Sequence, residues 1–202
     1  MTRLESGGLK IEKEWQTLEE VLGSTLHYLG KRRESHPITT RLAPDLPLIP
    51  MDSILIEQVL LNLLDNAIKY TPSGTAIEIA ACPTSEGVTI EIADHGPGIH
   101  SGDEGKIFNK FYRSNMNDSS GVGLGLAICK GIIEAHGGTI QARNCPTGGA
   151  VFSITLPVDG QPPEMSEEQG RRRPDLCGGR SESGHRSPTG LSGLGEGTPH
   201  AD

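Results

Sequence analysis

The sequence has no run of about 18 apolar residues, so nothing in it reads as a membrane span. The first 20 positions also lack the basic-then-apolar layout of a secretory signal. It has little positive charge: 18 Lys and Arg stand against 26 Asp and Glu, a net charge of −8, which argues against non-specific binding to nucleic acid or an anionic membrane surface. The four cysteines, Cys82, Cys129, Cys145 and Cys177, form no CxxC pair, so neither a zinc site nor a disulfide framework is indicated. Reduced thiols and the missing export signal place the expected compartment in the cytoplasm. Gly-Lys-Ser and Gly-Lys-Thr are absent, which excludes a P-loop.

Aromatic residues are scarce, one Trp, three Tyr and three Phe, and all lie at or before Phe152. From Val158 onward the chain has nine Gly and five Pro, and too little apolar surface to offset the entropy of ordering it. The expected organisation is therefore a folded unit over 9–157 and a disordered Gly/Pro/Ser-rich tail over 158–202. The opening MTRLESGG, residues 1–8, reads as the end of a helix stopped by two glycines.

Within the folded unit, hydrophobic spacing predicts a strand over Glu12–Leu18 and a helix over Leu18–Glu34. Strands are expected next over Ile38–Leu42 and Leu46–Met51. Asp52 is a good N-cap for a helix reaching Tyr70, with Ile56, Leu60, Leu63 and Ala67 as its buried stripe. Two strands, Ala76–Ala81 and Val88–Ala93, precede a polar, Gly-rich stretch over Asp94–Ser120 whose length suggests a functional lid. A helix over Gly121–His136 and a hairpin of Thr139–Arg143 with Ala150–Leu156 close the unit. The expected class is α/β, a two-layer α+β sandwich in which a mixed sheet of about five strands is covered on one face by three helices.

Three elements carry chemistry. On the helix after Asp52, Gln58, Asn62, Asn66 and Lys69 share a face opposite the Leu stripe, which suits either a solvated surface or amide ligands for Mg2+ with a cation for phosphate. Asp94-His95-Gly96-Pro97-Gly98-Ile99 comes directly after an apolar strand, and a carboxylate there could accept from the exocyclic amine of adenine. Gly121-Val122-Gly123-Leu124-Gly125 opens a helix and offers free backbone N–H groups to phosphates.

The order of these pieces, with IFNKFYR over Ile107–Arg113 between the last two, resembles the N, G1, F and G2 boxes of the GHKL ATP-binding superfamily, and of sensor histidine kinases within it. The wording around them, RLESGG, NLLDNAIKYTP and HGGTIQARNCPTGGAVFSITLP, is similar to the catalytic end of KdpD-type potassium and turgor sensor kinases. The resemblance implies the Bergerat ATP-binding fold with a mobile ATP lid, and ATP with Mg2+ as ligands. It implies Asn66 as the Mg2+ ligand, Asn62, Lys69 and Arg113 at the phosphates as catalytic residues, and Tyr70 bordering the nucleotide. Asp94 would be the adenine acceptor, with Gly96, Gly98 and Ile99 shaping its loop. Phe108 and Phe111 would anchor the lid, Phe108 being grouped with the nucleotide-binding residues. Gly121, Gly123, Leu124 and Gly125 would form the phosphate-side hinge.

Hydrolytic relatives carry a Glu one turn before the metal-binding Asn; here Asn62 stands there and cannot act as a base, which favours transfer to another protein. The implied activity is transfer of the γ-phosphate to a histidine on a dimerisation hairpin, with a response regulator downstream. No S-H-E-L-R-T-P-like acceptor segment is present, and all seven histidines read as surface or packing residues. The chain therefore reads as a fragment or split product, inactive alone, of a membrane-anchored parent. Two alternatives use the same site: a serine kinase of the anti-sigma-factor type, and a catalytically silent nucleotide-binding fragment.

Overall fold

The computed structural model describes residues 10–112 and 123–162. The expected helix end at 1–8, the hinge residue Gly121, Arg113 and the tail from residue 163 onward lie outside them. In chain order the elements are β1 (Glu14–Gln16), α1 (Leu18–Leu29), β2 (Ile38–Leu42), β3 (Ile49–Met51), α2 (Ser53–Tyr70), β4 (Ile77–Thr84), β5 (Gly87–Ala93), α3 (Gly125–Ala135), β6 (Thr139–Asn144) and β7 (Ala150–Leu156).

Helix α2 is the frame. Asp52 keeps an extended backbone and its carboxylate accepts the Leu55 N–H at 3.2 Å, satisfying a donor that the first turn leaves open. Ile56, Leu60, Leu63 and Ala67 are buried as their spacing predicts, and each large side chain among them contributes about 1.5–3 kcal/mol. Helix α1, capped by Thr17, lays Leu18, Val21, Leu22 and Leu29 inward and packs on α2. It ends at Leu29 and not at Glu34, because Gly30 turns to φ +48°, a conformation that glycine enters cheaply. Residues 30–35 continue as 3₁₀ turns.

The main sheet has the order β2-β4-β5-β7-β6, with β2 parallel to β4 and every other pair antiparallel. A parallel pair needs a crossover, and α2 lies on it. Side chains alternate across the sheet: Ile77, Ile79 and Ala81 of β4 and Val88, Ile90 and Ile92 of β5 are buried. The opposite face carries ion pairs such as Arg41–Glu78 and Arg143–Glu91.

The strand expected over Leu46–Met51 is shorter and sits elsewhere. Only Ile49–Met51 is extended, and it pairs antiparallel with Glu14–Gln16 in a separate two-stranded ribbon. Pro47 and Pro50 lack the N–H groups that a longer ladder needs.

Two histidines read as surface or packing residues prove to be buried pins at the ends of α2. At its start the Asp52 N–H donates to His136 Nε2 at 3.1 Å, while His136 Nδ1 donates to the Ile132 carbonyl. At its end His36 Nε2 donates to the Thr71 carbonyl at 3.0 Å. The chain also continues to pack beyond Pro157: Val158 touches the core, and Gly160 lies against the Trp15 indole.

Candidate functional site

Asp94 stands at the end of β5 and is 6% exposed. Its backbone N–H continues the β5–β7 ladder to the Ala150 carbonyl at 2.9 Å. Its Oδ1 accepts from Gly96 N–H at 2.8 Å and Ala150 N–H at 3.2 Å. Both bonds fall on one oxygen, which fixes the carboxylate and leaves Oδ2 as the oxygen without a hydrogen bond among the described residues.

The loop after Asp94 is pressed from two sides. A Cβ at Gly96 would stand 2.7 Å from the Tyr70 carbonyl oxygen at the end of α2. On the other side the Asn144 amide grips Ile99 at both backbone groups: Oδ1 accepts the Ile99 N–H at 2.6 Å and Nδ2 donates to the Ile99 carbonyl at 2.7 Å. Gly98, at φ +77°, has no room for a side chain, because a Cβ would come within 2.6 Å of Asn144 Oδ1. Gly149 makes the closest approach, 1.9 Å from its would-be Cβ to the Asp94 carbonyl oxygen. Asn144 and Gly149 were missed by sequence reasoning. The Gly148-Gly149 pair was the available signal, since paired glycines mark a close backbone approach, but the sequence does not say to what.

On the polar face of α2, Gln58, Lys69 and Tyr70 are exposed and Asn62 and Asn66 are half-buried. Lys69 Nζ donates to the Tyr70 hydroxyl at 2.9 Å and lies 4.5 Å from that ring's centroid. Asn62 faces α3. A Cβ at Gly125 would meet its Oδ1 at 3.6 Å, and its amide hydrogen-bonds the Cys129 thiol. Burial pushes that thiol up to about 12, with the Asn62 bond acting the other way. Asn62 therefore joins two helices in this structure.

In the segment over residues 106–112 one phenylalanine is buried and the other exposed. Phe108, expected among the nucleotide-binding residues, is 7% exposed and stands edge-on to Phe152, 6.5 Å between centroids, so its ring anchors the segment in the core. Phe111 is exposed, at φ +64°, with its N–H on the Gly123 carbonyl at 2.9 Å. The Tyr112 hydroxyl bonds Asp103, and this bond, with Lys106 at 2.9 Å, holds the Asp103 carboxyl below its ordinary value while raising the Tyr112 phenol.

Of the glycines expected to form a hinge, Gly123 is sterically required: it takes φ +72° and a Cβ would lie 2.9 Å from the Tyr112 carbonyl oxygen. Leu124 provides the N-cap of α3 without a side-chain hydrogen bond, which leaves first-turn N–H groups for an anion. Among the described residues no group of three or more His, Cys, Asp or Glu side chains converges. A single neutral amide, Asn66, suits a Mg2+ ion whose remaining ligands are phosphate oxygens and water.

The profile of the family described as histidine kinase-, DNA gyrase B-, and HSP90-like ATPase matches residues 51–160. The sensor protein KdpD of Escherichia coli (strain K12) is 48% identical over 168 residues, covering 83% of this chain and 19% of the relative. Full-length ShkA, solved in complex with AMPPNP, superposes with a TM-score of 0.70 at 27% identity, covering 79% of this chain and 34% of that one. Histidine kinase ThkA, solved in complex with the response regulator protein TrrA, gives a TM-score of 0.64 at 26% identity, covering 74% of this chain and 42% of that one.

Proposed function

Because the chain belongs to the histidine kinase-, DNA gyrase B- and HSP90-like ATPase family, we propose that it binds Mg-ATP beside Asp94 and passes the γ-phosphate to a histidine on a dimerisation hairpin, as the catalytic part of a two-component sensor kinase. The observation that carries this reading is the Asp94 carboxylate, held at Oδ1 by two backbone N–H groups with Oδ2 left for a donor such as the adenine amine. The chain spans about a fifth of KdpD, 19% of its length, so the hairpin and the response regulator are supplied by this proposal.

Phosphoryl transfer relies on positioning and charge neutralisation more than on covalent help from the protein. Asp94 orients the base. Asn66 would hold Mg2+ together with phosphate oxygens and water, and the ion would neutralise charge on the transferred group. Lys69, Arg113 and the first-turn N–H groups of α3 would add positive charge at the phosphates, with Gly121, Gly123 and Gly125 as the hinge beside them. Asn62 cannot accept a proton from water, so the site favours a protein acceptor over hydrolysis. AMPPNP in ShkA and TrrA on ThkA support a nucleotide and a response regulator as the two partners. Among the described residues no helix is long and apolar enough to cross a membrane. In this reading the domain works on the cytoplasmic side of a membrane-anchored parent.

The test is transfer in trans. With labelled Mg-ATP, a separate helical hairpin carrying the acceptor histidine should become labelled, with a product labile in acid and stable in base, and the chain alone should not. An acid-stable phosphoserine, or no transfer by a chain that binds ATP, would refute the proposal.

A further inference from the structure

Asn144, the last residue of β6, lies at the surface, yet both ends of its amide are committed to one residue 45 positions away. Its Oδ1 accepts the Ile99 N–H at 2.6 Å and its Nδ2 donates to the Ile99 carbonyl at 2.7 Å. The loop over 94–99 is tied at its other end by Asp94, whose Oδ1 accepts from the Gly96 and Ala150 N–H groups. Asn144 and Ala150 stand opposite each other in the β6–β7 ladder, so both ties come from one rung of that hairpin. The turn beyond is closed on itself, with Cys145 N–H on the Gly149 carbonyl at 2.9 Å and Gly148 N–H on the Cys145 carbonyl at 3.0 Å.

Stability alone gives little reason for this clamp. Hydrogen bonds at the surface add little net stability, because water takes the place of a lost partner, and holding the side chain in one rotamer costs entropy. The clamp also demands a glycine at position 98. That residue sits at φ +77°, and a Cβ there would lie 2.6 Å from Asn144 Oδ1 and 3.2 Å from the Gly149 carbonyl oxygen. Glycine loses more backbone freedom on folding than any other residue, so the arrangement works against stability at that point. What the clamp delivers is a single path for the loop. The glycine expected to shape that loop for a ligand is required here by a side chain of the protein itself.

We propose that Asn144 is a positioning residue for nucleotide binding: by fixing the Ile99 peptide it holds the 94–99 loop in its binding-competent path, and Gly98 is the partner whose missing side chain admits it. This rests on the nucleotide site proposed above and adds to it a residue that acts through Ile99 and Gly98. Without the clamp the loop spreads over several paths, and apparent affinity falls by the fraction that remains competent.

The experiment uses the full 202-residue chain as wild type, Asn144→Ala, Gly98→Ala and the double variant, each titrated with Mg-ATP and melted, with amide hydrogen exchange followed at Ile99. Asn144→Ala should bind ATP roughly five- to thirtyfold more weakly, the worth of one to two neutral hydrogen bonds. It should melt within a few degrees of wild type, because both bonds it removes lie at the surface. Its Ile99 amide should exchange at least about tenfold faster without nucleotide. Gly98→Ala should also weaken binding by driving the Asn144 amide away, so the double variant should lose little beyond Gly98→Ala alone. A role for Asn144 in general stability would give additive losses instead. Wild-type affinity in Asn144→Ala, additive losses in the double variant, unchanged exchange at Ile99, or a melting temperature many degrees lower would each overturn the proposal. A wild-type chain that binds no nucleotide would defeat the proposed function as well, an outcome distinct from wild-type binding with no effect at Asn144.

Discussion

Cys129 shows how one side chain reports on the joint between α2 and α3. Its thiol is buried against the Val59 carbonyl and the Asn62 amide, and burial raises it from an ordinary 9.0 to about 12. A group that holds its proton more tightly when folded lends stability that is complete below about pH 9 and is lost as pH rises toward 12. In that window wild type should lose up to about 1.4 kcal/mol per pH unit more than Cys129→Ala, measured by urea unfolding at pH 7, 9 and 10.5. Equal slopes for the two proteins would show that the thiol is not desolvated. Cys145 makes the contrast: its thiol sits beside the Thr147 hydroxyl, which lowers it, so it should react with a thiol reagent well before Cys129.

At the scale of the element, α3 and its approach separate two glycines that the sequence presents as equals. Gly123 sits at positive φ against backbone atoms of Phe111 and Tyr112, whereas a methyl at Gly125 would make ordinary contact with Asn62. Gly123→Ala should therefore cost about 1–2 kcal/mol, and Gly125→Ala should be neutral or stabilising by up to about 1 kcal/mol, both read by thermal melting. The opposite ranking would contradict the steric contrast between Gly123 and Gly125. Helix α2 was legible because its signals are local: a capping carboxylate at 52 and an apolar stripe at 56, 60, 63 and 67. The β1–β3 ribbon was not, since three-residue strands with Pro50 between Ile49 and Met51 carry no period. Asn144 was equally hidden: a polar residue at a strand end reads as surface, and its grip on Ile99 spans 45 positions.

For the whole molecule, the site is a junction of the chain's two halves. The strand that delivers Asp94 is held by the β6–β7 hairpin, and the loop beyond it rests on the end of α2. The four ordered boxes and the β6–β7 hairpin were readable because each is contiguous; the pairing of β7 with β5, which brings Gly149 against Asp94, is long-range and was not. Among the described residues the chain still packs at Val158, which touches the core, and at Gly160, which lies against Trp15. Truncation after Pro163 should accordingly leave melting temperature and ATP affinity unchanged, whereas truncation after Pro157 should lower the melting temperature by exposing Trp15. A large loss of either property on the first cut would show that residues 164–202 contribute to the domain.

The central claim is that a purine is read at Asp94. Calorimetric titration of Mg-ATP into wild type and Asp94→Asn, with melting curves for both, tests it most directly. The amide can keep the oxygen that accepts from Gly96 and Ala150 while presenting a donor where Oδ2 stood, so the fold should survive and affinity should fall by roughly 30- to 150-fold, about 2–3 kcal/mol. Equal affinity in the two proteins at equal melting temperature would contradict the account.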